Sequence, residues 1–106
     1  MGFYYATIES LILPEHITSA GSSSFRFTRC GLLDIRGNFT SIPNYTNSVS
    51  TLIVRNTTPP TLTGYSNLTG ATIYVPAVSL EAYKAATQWS RYAANMHTIE
   101  GSEYEL

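Results

Sequence analysis

Charge is what this chain has least of. Asp, Glu, Lys and Arg make up 12% of its 106 residues, about half the usual proportion. Lys84 is its only lysine, the net charge is −1, and the cations form no cluster. Phosphate recognition needs concentrated Lys and Arg, so nucleic acid is excluded as a partner. A single cysteine, Cys30, excludes an internal disulfide framework and reads as a small buried apolar residue rather than a nucleophile. His16 and His97 stand far apart, outside any metal-spaced cluster, so neither metal nor cofactor is expected. The lone aspartate, Asp34, has no Ser or His at a recognisable elbow, and the glycines form no phosphate loop; the chain does not read as an enzyme. No apolar run approaches the length that spans a bilayer. The opening Met1-Gly2-Phe3-Tyr4-Tyr5 has neither the basic region nor the apolar core of a secretory signal.

What the chain does have is hydroxyl groups and a repeated extended pattern. Serine and threonine supply about a quarter of the residues and replace charge as the solvent-facing polar groups. In Ala71-Thr72-Ile73-Tyr74-Val75-Pro76, Ile73 and Val75 fall on one side of a strand and Tyr74 on the other, and Pro76 ends the ladder. The same pattern occurs in Leu11-Ile12-Leu13-Pro14, Leu33-Asp34-Ile35 and Leu52-Ile53-Val54. From Leu11 to Leu33 to Leu52 to Ile73 the step is about 20 residues, within the range of leucine-rich solenoids. The competing reading is four unrelated strands of an antiparallel domain. Strands are expected at about Glu9–Leu13, Leu32–Arg36, Ser50–Arg55 and through Ile73 and Val75, with Phe25 and Phe27 turned toward the core and a turn at Gly37-Asn38.

Behind Pro76, Ser79 suits a helix N-cap, and Glu81 falls where the helix dipole favours an anion. Leu80, Tyr83, Ala86, Trp89, Tyr92 and Met96 recur at three- and four-residue steps. That stripe predicts a cap whose core is Leu80, Tyr83, Trp89 and Tyr92, with a closing extended segment at Ile99. Gly101 to Leu106 reads as a frayed acidic end. The sequons at Asn38, Asn44, Asn56 and Asn67 all fall in expected loops and read as turn residues.

Several of these segments resemble the BspA-type leucine-rich repeat. Ile17-Thr18-Ser19-Ala20-Gly21 followed by Phe25, Cys30, Leu33 and Ile35 is similar to one turn of it, and Phe39-Thr40-Ser41-Ile42-Pro43 begins a degenerate second turn without its Phe and Cys. Thr57-Thr58-Pro59-Pro60-Thr61-Leu62, Ile73-Tyr74-Val75-Pro76, Tyr83-Lys84-Ala85-Ala86 and Trp89-Ser90 with Tyr92-Ala93 resemble the family's terminal element. Ala20 departs from the pattern, where a larger aliphatic residue is usual. The resemblance implies an α/β solenoid: a short, irregular right-handed coil with a parallel sheet of about four strands and a C-terminal helical cap kinked near Thr87-Gln88. One domain is then expected, with an N-terminal flap over residues 1–7, repeat turns over 8–76, the cap over 77–100 and a tail over 101–106. In the flap, Phe3, Tyr4 and Tyr5 would either cover the first turn or dock on a partner.

If Leu11, Leu33, Leu52 and Ile73 point inward, Ile12, Asp34, Ile53 and Tyr74 align on the outer face beside Arg36 and Arg55. Such a mixture of apolar, aromatic and cationic groups suits recognition; a solvated sheet face with scattered apolar residues is the plainer alternative. The expected function is a non-enzymatic module binding a protein or glycan through this face. The resemblance adds a bacterial cell-surface or extracellular adhesin as the setting. The alternative is a structural subunit of a larger particle, such as a phage virion or fibre protein, assembling with copies of itself or with other subunits.

Overall fold

The computed structural model describes residues 6–106; the aromatic cluster at Phe3, Tyr4 and Tyr5 lies outside them. Five strands form one sheet: β1 (Thr7–Leu13), β2 (Arg26–Ile35), β3 (Asn47–Val54), β4 (Thr72–Val75) and β5 (Met96–Thr98). They lie side by side in chain order, and every pair is parallel. The antiparallel reading is thereby excluded and the architecture is α/β. Leu11 pairs with Leu33, Leu33 with Leu52, and Leu52 with Ile73, so the inward row has the expected register. Parallel neighbours need a crossover of a dozen or so residues, and the step of about 20 residues leaves room for one.

The crossovers supply the other wall of the core. Phe25 and Phe27 stack with ring centroids 5.9 Å apart, and Phe39 leans on Phe25 at 6.5 Å. Ile42, Leu62, Leu68 and Ala71 continue this wall opposite Leu33, Ile35, Leu52, Val54, Ile73 and Val75, all nearly inaccessible. The crossovers also pair with one another, through parallel bridges Ser41–Thr61 and Asn47–Asn67. Gly37 marks a close approach: a Cβ there would collide with the carbonyl oxygen of Ile17 in the preceding crossover.

Several sequence expectations need correction. The stripe from Leu80 to Met96 is not one kinked helix. A single 3-10 turn (Ala77–Ser79) leads into α1 (Leu80–Ala85), and a 3-10 stretch (Trp89–Asn95) follows. Gln88 between them has φ +68°, a left-handed conformation that stops an α-helix. Met96 belongs to β5 and pairs with Ile73, which makes the sheet five-stranded. Ser79 precedes α1 but makes no side-chain cap; its hydroxyl donates to the Thr57 carbonyl instead. The tail does not fray: Ser102 N–H and Oγ donate to the Ile99 carbonyl, and Tyr104 sets its ring edge-on to Tyr74 at 4.9 Å.

Candidate binding face

The outward row forms in the expected register: Ile12 beside Asp34, Asp34 beside Ile53, Ile53 beside Tyr74, and Tyr74 beside His97. Its members are not equally available. Ile12 is 50% exposed, whereas Asp34 is 3% exposed and Ile53 is sealed. Ile53 nonetheless stands apart from the main core cluster. It is buried on the far side of the sheet, a small second core that the expected open face does not include. Tyr74, half-buried, carries Tyr104 of the tail on one side and His97 at 5.5 Å on the other.

The charged members satisfy each other. Arg55 Nε donates to Asp34 Oδ1 at 2.9 Å and its terminal nitrogen to Oδ2 at 2.9 Å, while Arg36 Nε donates to Oδ2 at 3.2 Å. The paired guanidinium fork is the strong form of this contact, and it supplies the neutralisation that a buried carboxylate requires. Arg36 and Arg55, expected as cations offered to a partner, are thus engaged within the sheet by the chain's only aspartate. An open cavity of about 340 Å³ lies beyond them, between Arg55 and Thr57 on one side and Glu105 and Leu106 on the other.

The cap residues Tyr83, Trp89 and Tyr92 are buried as expected, and Leu80 packs half-buried against them. Each aromatic keeps a polar tip, and each tip meets backbone. Tyr83 Oη donates to the Asn56 carbonyl, Trp89 Nε1 to the Pro60 carbonyl, and Tyr92 Oη accepts from Leu68 N–H. The segment 56–60 is therefore the cap's docking strip, a role its two prolines disguise in the sequence as a plain break. Burial pushes the Tyr83 hydroxyl well above its ordinary pKa. Asn56, expected as a turn residue in a loop, is buried, with its amide on the Phe39 carbonyl and Oδ1 unpartnered.

Cys30 is fully buried, its thiol facing the Leu32 carbonyl at 3.3 Å, and burial raises its pKa. Such a thiol is protonated and inert. Among the described residues no three His, Cys, Asp or Glu side chains gather around a common point. No helix of the described residues is long and apolar enough to cross a membrane.

A different surface escaped the sequence reading. Asn44-Tyr45-Thr46-Asn47 and Gly64-Tyr65-Ser66-Asn67 occupy equivalent places in successive crossovers, about 20 residues apart. Thr46 and Ser66 turn inward, both hydroxyls donating to the Pro43 carbonyl, and the tyrosines turn out as a touching pair. The echo of a tyrosine, a hydroxyl residue and an asparagine was the available signal; the search for apolar periodicity passes over it. No protein-family model matches the chain, and no curated protein is detectably similar to it.

Proposed function

We propose that this chain is a non-enzymatic interaction module, the terminal part of a leucine-rich-repeat solenoid of the BspA type, which engages a partner protein through its sheet face. The parallel register at a step of about 20 residues supports the solenoid reading, as does the aromatic cap over the last strands. The observation that carries the binding role is the outward row itself. Ile12, Tyr74 and His97 share one face, with Tyr104 packed on it. An aliphatic group at one end and aromatic groups at the other, held on either side of a buried, preorganised Asp34–Arg55 pair, have the make-up of a protein interface.

The test is site-directed photo-crosslinking in the native source, with a benzophenone side chain at Ile12 or at Ala94, an exposed position on the cap. The expected result is one discrete protein adduct from position 12 and none from position 94. Adducts of equal yield at both positions, or none at position 12, would reject the sheet face as the interface.

A specific observation favours assembly as the second reading. At the β1 end Ile8, Leu11, Ile17 and Ala20 are only partly buried, whereas their counterparts further along are sealed. An open apolar edge of a parallel sheet is a template for another chain. Light scattering over a dilution series separates the readings: mass rising with concentration supports assembly, and a monomer throughout rejects it.

A further inference from the structure

We infer that Tyr45 and Tyr65 form a glycan-binding platform, which stacks against the C–H face of a neutral pyranose. This goes beyond the sheet-face reading. The pair lies beside the Asn47–Asn67 bridge that opens β3, about 20 Å along that strand from Ile53.

Three observations carry the inference. Tyr65 is 65% exposed and Tyr45 is 39% exposed, with ring centroids 5.5 Å apart and planes tilted by 40°. The rings touch each other and face solvent, which gives one continuous aromatic surface. The second observation is conformational. Tyr45 has φ +68°, as does Ser23 in the preceding crossover, and Ser23 N–H donates to the Asn44 carbonyl. Ser23 and Tyr45 thus share a left-handed turn that Tyr65 does not adopt, one that Gly or Asn fills readily, whereas a bulky tyrosine is strained in it. Strain held by an exposed side chain with no core to fill points to use rather than stability. Thirdly, the surroundings are polar, with a cation on one side. Arg26 lies over the Tyr45 ring, its guanidinium carbon 5.4 Å from the centroid, and fixes that ring from one side. Asn44, next to Tyr45 in the chain, accepts the Thr63 hydroxyl on its Oδ1, so an amide and a hydroxyl border the pair.

These features select among the ligands that aromatic surfaces take. Stacked nucleobases need a basic groove along the phosphates, and this chain has too few cations for one. A polyproline ridge needs a slot between aromatic walls, whereas two rings in mutual contact present a platform. A pyranose offers a flat apolar face edged by hydroxyls, which matches ring faces bordered by an amide and hydroxyls.

The full chain is titrated by NMR with three neutral hexasaccharides, of maltose, cellulose and chitin type, and with decaproline, at roughly 10 mM to reach a weak millimolar Kd. Binding of at least one hexasaccharide is expected, with shifts confined to residues around positions 44–47 and 63–67. Tyr65→Ala should weaken it about three- to tenfold, the size of one aromatic contact, while Tyr65→Trp retains it. Tyr45→Asn, which suits the left-handed turn, should also weaken binding without unfolding the chain, and Ile12→Asn on the sheet face should leave it unchanged. Absence of binding to all three sugars, unchanged affinity in both Tyr65→Ala and Tyr45→Asn, or binding of decaproline alone would overturn the proposal.

Discussion

Tyr83 links a local contact to a measurable pH dependence. Its hydroxyl is buried and donates to a backbone carbonyl, and burial raises its pKa above the ordinary value near 10. Between that ordinary value and the raised one, the unfolded chain releases a proton that the folded chain keeps. Stability is therefore independent of this group below about pH 10 and falls above it, by about 1.4 kcal/mol per pH unit. Tyr83→Phe should cost about 1–3 kcal/mol at neutral pH by orphaning the Asn56 carbonyl, yet flatten the alkaline limb, read by urea melts from pH 8 to 11. An unchanged limb would place the titration elsewhere. Ile53 tests the outer face in the same way. As an exposed recognition residue it would tolerate truncation, but it is sealed, so Ile53→Ala should cost about 2–5 kcal/mol in the same assay. Nothing in the residue pattern separates Ile53 from Ile12, because alternation assigns a face and not a cover. Beside Ile53, Asp34 is paired with Arg55 and Tyr74 carries Tyr104 of the returning tail, contacts between segments about 20 and 30 residues apart that no local pattern records.

Among the elements, the cap shows which force holds and which positions. Burial of an aromatic side chain removes about 150–250 Å² from water, worth at most about 4–6 kcal/mol at 25 cal/mol per Å². Each hydrogen bond from a polar tip adds about 1 kcal/mol net. Apolar burial therefore holds α1 and the Trp89–Asn95 stretch on the sheet, and the tips fix their placement, those of Tyr83 and Trp89 along segment 56–60 and that of Tyr92 at Leu68. A chain truncated after Pro76 loses Tyr83, Trp89, Tyr92 and the whole of β5. It exposes the edge of β4 together with Leu62 and Leu68, so aggregation is expected on expression at 25 °C. A soluble truncation that melts cooperatively would show that the cap is dispensable. The sequence announced this element through its three- and four-residue steps, and the three buried aromatics were legible there. The break at Gln88 falls at the expected kink, but its left-handed φ and the 3-10 form of the stretch behind it are nothing that periodicity reports. Met96 illustrates the ambiguity of a short apolar run. It satisfied the helical step, but its pairing with Ile73 across the sheet makes it strand.

In the molecule as a whole, each strand meets only its neighbours in chain order, so burial must decline toward any end that lacks a cover. The β5 end has one in the cap and tail. At the β1 end Ile8 and Leu11 stay partly open while their partners Cys30 and Leu33 are inaccessible. Local stability follows such differences, because amides open at the cost of the contacts around them, and a sheet with nearest-neighbour contacts loses them from its ends first. Native-state hydrogen exchange at low protein concentration should then show slowest exchange in β2 and β3, with β1 among the first segments to open. The same measurement at high concentration joins this gradient to the assembly reading. If copies pair through β1, its protection should rise with concentration while that of β3, already covered on both sides, stays constant. Protection of β1 equal to that of β3 at every concentration would mean that residues 1–5 or another segment already seal the edge. The open apolar row would then carry no argument for self-association, and the sheet face would stand as the interface without a rival.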